Sequence, residues 1–318
     1  MYHRVTDLRN DPHLLSVTPQ RFAEHMELTR RHYFPIRLQQ LVDGLQRGKL
    51  PARAVVVTFD DGYADNLHEA MPLLERYDVP ATMFVTAGQV GNQREFWWDE
   101  LDRLLLQPGI LPTQLRLNIN GNIFESQLGE ASNYTVQDYR RDRGWHIARE
   151  DNPGPRQHLF RKLLAAMSVL SGAEREKVVN DLLAWAGADP IARPTHRPLT
   201  IDELVKLQKC RLMEVGAHTM THPKLADTPA GQQRTEIHQS KQTLEAILNR
   251  PVTSFAFPFG SGSPETVAIV RDEGFVCACS TRSDVVSRGA DPFGLPRVIV
   301  RDWDGERFGR FLRWWMGG

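Results

Sequence analysis

VVVTFDDGYADN, from Val55 to Asn66, is the stretch around which the rest of the sequence can be arranged. Val55–Val57 form a β-branched run of the kind found in buried strands, and two adjacent acids, Asp60 and Asp61, follow it closely. Parallel sheets carry their chemistry at the carboxyl ends of strands, and this acidic pair stands at such an end. The alternative is that Asp61 only caps a helix beginning near Tyr63, because Asp-Asp-Gly is a common turn sequence.

A second group of metal-binding residue types lies in EVGAHTMTHPKL, Glu214–Leu225. His218 and His222 are four residues apart, so they share one face if the segment is helical, and a loop ending in Pro223 would bring them together equally well. Two imidazoles and a carboxylate form a facial set of three ligands for a divalent metal and leave positions open for water and substrate. Together with the acidic pair, this spacing predicts a metal site.

Predicted strands and helices alternate along most of the chain, which is typical of parallel βαβ units. Thr200 and Glu203 form a capping box that marks the start of one helix. The alternation indicates an α/β fold, an irregular (β/α) barrel of about seven strands. The strands predicted after the first are Ala81–Val85, Met213–Gly216, Thr253–Phe257, Val276–Cys279 and Leu295–Val300.

Residues 93–199 interrupt this alternation. The sequence RLNINGNIF, residues 116–124, contains the Asn-Gly turn signal of a β-hairpin. Amphipathic helices are expected near Gln157–Leu170 and Ala173–Gly187. We therefore interpret residues 1–318 as a single barrel domain that carries residues 93–199 as a largely helical insertion.

Composition narrows the classes of protein to consider. The 318 residues are enough for one barrel-sized domain, and Lys plus Arg equals Asp plus Glu at 39 each, so charge gives no reason to expect nucleic acid or an anionic membrane as partner. Three cysteines without a C-x-x-C pair suit a reducing compartment or are incidental core thiols. With neither a transmembrane run nor a signal region visible, we expect a cytoplasmic location, although the abrupt start at Tyr2 suggests that an upstream segment is missing.

TFDDGYADN, HTMTH and FAFPFG, in this order, resemble the motifs of the polysaccharide deacetylases, carbohydrate esterase family 4, which share the NodB-homology fold. MYHRV at the start and LPRV near the end resemble the flanking motifs of one branch of that family. The similarity spans residues 1–92 and about 200–300. It implies a distorted (β/α) barrel and a metal-dependent hydrolase that removes N-acetyl groups from amino sugars of a polysaccharide or glycan precursor.

The resemblance also assigns roles to the acids and histidines. Asp61, His218 and His222 would hold one divalent ion, for which we expect zinc. Adjacent residues at a strand end point to opposite sides, so both acids cannot easily face one ion. The resemblance makes Asp61 the ligand, which leaves Asp60 as the general base that takes a proton from the attacking water.

The turn after the later strand is the third part of the expected site. By resemblance, the backbone N–H of Phe259 would stabilise the oxyanion and Pro258 would border the substrate, whereas the alternative is an ordinary turn. Many family members carry an arginine before this turn, but here Ala256 and Phe257 stand there. Arg297, in LPRV, is the candidate to supply that guanidinium to the catalytic acid, and its alternative interpretation is a surface ion pair.

Many members also use a histidine on the last strand as general acid, but this sequence has none after His238. His3 and Asp302 are the candidates to replace it. In the resembled branch the Tyr-His pair lies at the catalytic end, so His3 is expected to border the substrate unless it belongs to the core. Trp98, in the cluster FWWD, would stack on a sugar if exposed and would be core if buried.

Two classes of function follow from these residues. The intact acid pair and the two histidines favour a hydrolase, because a binding module gains nothing from three metal ligands. The missing late histidine keeps open a catalytically weakened glycan-binding protein on the same fold. A third option is a deacylase of the same mechanism that acts on an O-acetyl ester or a small amide. An N-acetylated carbohydrate is the expected partner.

Overall fold

The computed structural model describes residues 1–316. These residues form two compact units, which are treated separately below. The first contains residues 1–7, 15–92 and those from 198 onward, and the second contains residues 8–14 and 93–197. No helix in the described part of the chain is both long enough and apolar enough to span a bilayer.

The secondary structure follows the alternation of strands and helices expected from the sequence. The strands are β1 (Arg4–Val5), β2 (Ser16–Val17), β3 (Phe34–Pro35), β4 (Ala54–Val55), β5 (Val57–Phe59), β6 (Ala81–Val85), β7 (Gly109–Ile110), β8 (Gln114–Ile119), β9 (Asn122–Gln127), β10 (Asn133–Tyr134), β11 (Met213–Ala217), β12 (Ser254–Ala256) and β13 (Cys277–Cys279). The α-helices are α1 (Pro19–His32), α2 (Leu38–Arg47), α3 (Met71–Tyr77), α4 (Trp97–Leu105), α5 (Val136–Asp142), α6 (Pro155–Met167), α7 (Gly172–Ala186), α8 (Ile201–Lys209), α9 (Ala230–Leu248), α10 (Pro264–Asp272) and α11 (Gly305–Met316). A π-helical turn, Asn66–Ala70, precedes α3.

The first unit is built on a five-stranded sheet in the order β13-β12-β11-β6-β5, and every pairing in it is parallel. Two further segments extend this sheet, because Tyr2 bridges to Phe59 on one side and Leu295 bridges to Cys279 on the other. The Met1 amino group donates to the Val298 carbonyl at 2.9 Å, so these two outer segments also meet. The strands therefore curl into a barrel, as the alternation predicted.

The strand before the acidic pair differs in detail from the prediction. Val55–Val57 was expected to form one run, but the backbone divides at Val56. β4 pairs with β3, whereas β5 pairs with β6 in the barrel sheet. The β-branched pattern marked extended chain correctly, and it could not show that the chain changes pairing partner within the run.

The barrel core explains why these strands hold their positions. All five residues of β6 are buried, as expected for a central parallel strand covered on both faces. Tyr2 packs its ring against Phe22 and Phe59, with centroids 5.1 and 5.6 Å away. Helix α8 begins with the predicted capping box, since the Thr200 hydroxyl accepts from the Glu203 N–H and the Glu203 carboxylate accepts in return. The acidic strand end is thus presented by a rigid scaffold.

The second unit has its own core and the predicted local structure. β8 and β9 form a hairpin around Asn120 and Gly121, whose φ angles of 52° and 83° match the turn expected from Asn-Gly. Helices α6 and α7 lie where two amphipathic helices were expected. β8 and β9 pair only with each other among the described strands, so they add nothing to the barrel sheet. The description of residues 93–199 as an insertion in one domain stays a prediction.

His25, on α1, makes the stability of the first unit depend on pH. Its Nε2 bonds the Trp303 carbonyl at 2.7 Å, and its ring stacks on Phe308 at 4.0 Å. Burial lowers the pKa of His25 from 6.5 to about 4, so the unfolded chain binds a proton between these values and the folded chain does not. Stability from this group is fully present above about pH 6.5 and is lost as the pH falls towards 4, by roughly 3 kcal/mol in all.

Replacing His25 by Gln is expected to flatten that part of the pH dependence. The measurement is the free energy of unfolding in urea at pH 5 and pH 7.5, compared between the variant and the unmodified protein. His32→Gln on the same helix is the control, because its side chain is exposed. Equal pH dependence in the His25 variant and the unmodified protein would contradict this account.

Candidate metal centre and active site

The acidic pair follows β5 in a tight turn. Asp61 adopts a φ of 76°, and the next residue, Gly62, adopts a φ of 95°. A Cβ at Gly62 would lie 3.1 Å from the Val85 side chain, so glycine suits this turn on both counts. The helical segment that follows begins at Asn66, with Asp65 at the N-cap position, so Asp61 is not its N-cap. Both acids are buried, and the left-handed backbone at Asp61 is strain of the kind found at functional sites.

The His-x-x-x-His segment is a loop, which was one of the two alternatives left open by its spacing. It follows β11 directly, and both Thr219 and His222 have left-handed backbone with φ of 65° and 59°. The Thr219 hydroxyl accepts from the His222 N–H at 3.0 Å and donates to the His218 carbonyl. The loop thus turns both imidazoles towards the same point.

Asp61, His218 and His222 converge. The Asp61 Oδ1 lies 3.6 Å from His218 Nε2 and 3.3 Å from His222 Nε2, and the three candidate ligand atoms are all within 4.8 Å of one another. Ligands placed about 2.1 Å from a tetrahedral ion are about 3.4 Å apart, so this set fits one divalent metal. The exposed fraction of each of the three side chains is below a tenth.

The protonation of these groups also fits metal binding. The Nδ1–H of His218 donates to the Ala256 carbonyl at 2.8 Å, which leaves Nε2 as the ligand atom. Burial lowers the pKa of His218 to about 4, so its imidazole is neutral near pH 7. Burial raises the pKa of the Asp61 carboxyl above its ordinary value, a cost that a bound cation would offset.

Asp60 faces a different partner from Asp61, because adjacent residues at a strand end point to opposite sides. Its two oxygens accept from Arg297 Nη1 and Nη2 at 2.6 and 2.8 Å, a bidentate pair. Arg297 also donates to Thr58 Oγ1 and the Ser280 carbonyl, and it is 7% exposed, so the pair is not a surface ion pair. Burial raises the pKa of Asp60, but the Arg297 charge outweighs burial and holds that pKa below its usual range.

The turn after β12 places an aromatic residue beside the histidines. Phe259 has left-handed backbone with φ 57°, and its ring centroid lies 4.7 Å from that of His222. Pro258 is buried, whereas Phe259 is 46% exposed. A Cβ at Gly260 would meet Thr281 Oγ1 at 2.0 Å, so this position is restricted to glycine. The role of this turn at the oxyanion stays a prediction.

The two candidates for the general acid, His3 and Asp302, lie in different surroundings. Burial lowers the pKa of His3 below its ordinary value, although the nearby charges of Asp61 and Asp60 act in the opposite direction. Asp302 instead accepts from the N–H and the hydroxyl of Thr18 at the start of α1, both at 2.9 Å.

The position of Trp98 in the structure does not support the prediction that it binds substrate. Its side chain is 5% exposed and stacks on Phe96 with centroids 4.8 Å apart. The alternative interpretation, a core residue, is therefore the one that its surroundings support.

Two contributors to the site were not anticipated from the sequence. One is the Ala256 carbonyl, which orients His218. The other is Glu236, on α9, whose carboxylate accepts hydrogen bonds from the loop between the two histidines. A backbone carbonyl has no signature in a sequence, and nothing in the residues around Glu236 marks it apart from other acids on exposed helix turns.

Comparison with known proteins agrees with this arrangement. The sequence model of the family described as polysaccharide deacetylase matches residues 47–110 and 191–278. The chain is 34% identical over 82 residues to the poly-beta-1,6-N-acetyl-D-glucosamine N-deacetylase of Escherichia coli K12, which is 25% of this chain and 12% of that one. It is 31% identical over 78 residues to the enzyme of the same name from Staphylococcus epidermidis, 24% of this chain and 27% of that one. The matches thus span well under two thirds of these relatives.

Solved structures show the same fold over nearly the whole chain. Streptococcus pyogenes deacetylase PplD superposes with a TM-score of 0.60 at 18% identity, covering 98% of this chain and 96% of that one. IcaB from Ammonifex degensii gives 0.58 at 19% identity, covering 99% and 94%. At such identities these two similarities establish the (β/α) barrel. The sequence model identifies residues 47–110 and 191–278 of the chain as polysaccharide deacetylase sequence.

Proposed function

We propose that this protein is a metal-dependent hydrolase that removes N-acetyl groups from amino sugars of a polysaccharide or glycan precursor. The observation that carries the proposal is the convergence of Asp61, His218 and His222 within 4.8 Å, next to the paired Asp60 and Arg297. The names of the two poly-N-acetylglucosamine deacetylases support an N-acetylated glycan as substrate.

The three converging side chains would hold the metal. Two imidazole nitrogens and one carboxylate oxygen are a typical catalytic zinc set, so zinc is the ion that we propose. When bound, such an ion supplies Lewis acidity towards an acyl oxygen and lowers the pKa of water. His218 is held by the Ala256 carbonyl and Asp61 by the end of β5, which fixes the position of the reaction centre.

The residues around this focus divide the steps of amide hydrolysis among them. Asp60 would accept the proton of the water that attacks the acyl carbon, and Arg297 keeps it ionised and oriented. The backbone N–H of Phe259 would donate to the oxyanion of the tetrahedral intermediate. The exposed part of the Phe259 ring would border the sugar, whereas Pro258, which is buried, would support the turn from below.

We assign the protonation of the leaving nitrogen to His3, because the other candidate, Asp302, bonds to Thr18. Burial lowers the pKa of His3, so its imidazole is neutral at rest and would receive the proton that Asp60 takes from the water before passing it to the nitrogen. His3→Gln is expected to slow amide hydrolysis by about 100-fold. An activated acetyl ester has a leaving group that needs no proton, so its hydrolysis should slow far less. The two rates, measured on the same variant, test the assignment, and equal losses on both substrates would argue against it.

The overall proposal is tested by acetate release from a panel of N-acetylated oligosaccharides, including β-1,6-linked N-acetylglucosamine oligomers. Release that is abolished by chelation and restored by zinc is the expected result. Glycan binding without release from metal-loaded protein would instead identify a catalytically weakened binding protein. Release from O-acetyl esters or small amides alone would move the substrate to that class. A cytoplasmic location stays a prediction.

A further inference from the structure

We propose that Glu236 is a positioning residue that fixes the loop between His218 and His222 and thereby sets the affinity of the metal site. The inference rests on the proposed metal-dependent function, since it concerns the same three ligands. Glu236 lies on α9, and His222 is fourteen residues before it in the sequence. Glu236 contacts the backbone of the loop between His218 and His222.

The Glu236 carboxylate binds the loop by three hydrogen bonds. Its Oε2 accepts from the backbone N–H of Met220 at 2.9 Å and from that of Thr221 at 2.8 Å. Its Oε1 accepts from the Thr221 hydroxyl at 2.7 Å. Hydrogen bonds to an ionised acceptor are roughly twice as strong as neutral ones, so one side chain holds two consecutive peptide units.

Other contacts hold the opposite side of the same loop. The carbonyls of Thr219 and Met220 accept from the N–H groups of Ala87 and Gly88, which follow β6, at 2.9 and 3.1 Å. The N–H of His222 donates to the Thr219 hydroxyl. The loop therefore lies between the end of β6 and helix α9, and Glu236 provides the contact from the helix.

The loop needs this support because its backbone is strained. Thr219 and His222 both have positive φ, a backbone region that is unfavourable for non-glycine residues. His218 depends on the loop less than His222 does, because it follows the strand directly and bonds Ala256. Without the Glu236 contacts, the loop is free to relax, and His222 is the ligand that moves away from Asp61.

The experiment compares zinc affinity, by competition with a chromogenic chelator, with the free energy of unfolding of the metal-free protein. Glu236→Ala is expected to weaken zinc binding by about 10- to 100-fold, as changes outside the ligand set do. Glu236→Gln should restore most of it, since its amide oxygen can still accept from both N–H groups. Glu245→Ala is the control, because Glu245 is on the same helix and accepts from the Val252 N–H at 2.9 Å, remote in sequence from the ligands.

Each outcome tests either the positioning role of Glu236 or the proposed metal-dependent function. Unchanged affinity in Glu236→Ala overturns the inference. Equal weakening in Glu236→Ala and Glu245→Ala also overturns it, because that result reports a general loss of stability. Failure of the unmodified protein to bind zinc or another divalent ion overturns the proposed function and this inference with it. Weakened binding in Glu236→Ala alone, with rescue by Gln, supports the assignment.

Discussion

Asp60→Asn is expected to lower the turnover of N-acetyl substrate by roughly 10²–10⁴-fold, because the amide cannot take the proton of the attacking water. The metal content should stay at the level of the unmodified protein, since Asp60 bonds Arg297 and the three converging ligand atoms belong to other residues. Metal content by elemental analysis and acetate release on the same preparation provide the measurement. Near-full activity with metal bound would show that another group is the base.

The Arg297→Met variant tests how Arg297 affects the action of Asp60 as the general base. Burial raises the pKa of Asp60 and the Arg297 guanidinium is the main influence that opposes it, so the pKa of this carboxyl rises when the guanidinium is removed. The acid limb of the pH–rate profile should then move to higher pH, while activity on the alkaline side is retained in part. An unchanged acid limb would mean that the ionisation of Asp60 does not control that limb. The folded state of this variant must be checked by its unfolding curve, because an unpaired buried acid is destabilising.

The parts of the site that the sequence predicts are those fixed by local chemistry. Asp61 lies just after β5 and His218 directly after β11, the two strands on either side of β6, and the carboxyl ends of parallel strands meet at one edge of a sheet. That rule brings together residues that are far apart in the chain. The capping box at Thr200 and the hairpin around Asn120 were equally local signals, and both formed where expected.

The parts that the sequence could not predict depend on the packing of distant segments. The pairing of Arg297 with Asp60 joins residues 237 positions apart, and the sequence offered it only as one of two interpretations of Arg297, between which the folded barrel decides. The histidine spacing was compatible with a helix or a loop, and the choice of a loop depends on contacts from Gly88 and Glu236. Trp98 is an aromatic residue whose role was decided by burial alone. Residue type limits what each position can do, and the packing around it decides which of those roles is possible.

Asp61→Asn changes the neighbouring residue in the same chemical way as Asp60→Asn, and the expected result is different. Removing a ligand charge should weaken metal binding by more than the roughly 10- to 100-fold typical of changes outside the ligand set. Activity should fall with metal occupancy and recover in part at high metal concentration. In the unmodified protein, zinc at 100 times its Kd should add about 2.7 kcal/mol to the free energy of unfolding, and in Asp61→Asn the same concentration should add little.

The free energy of unfolding of the metal-free variant and of the metal-free unmodified protein tests the role of Asp61 more directly. Burial raises the pKa of Asp61, which means that its negative charge is costly in the folded state when no cation is bound. Asp61→Asn removes that charge, so the metal-free variant should be at least as stable as the metal-free unmodified protein. A variant that is less stable without metal, yet gains as much stability from zinc as the unmodified protein does, would show that Asp61 serves the fold and that the ion is held elsewhere.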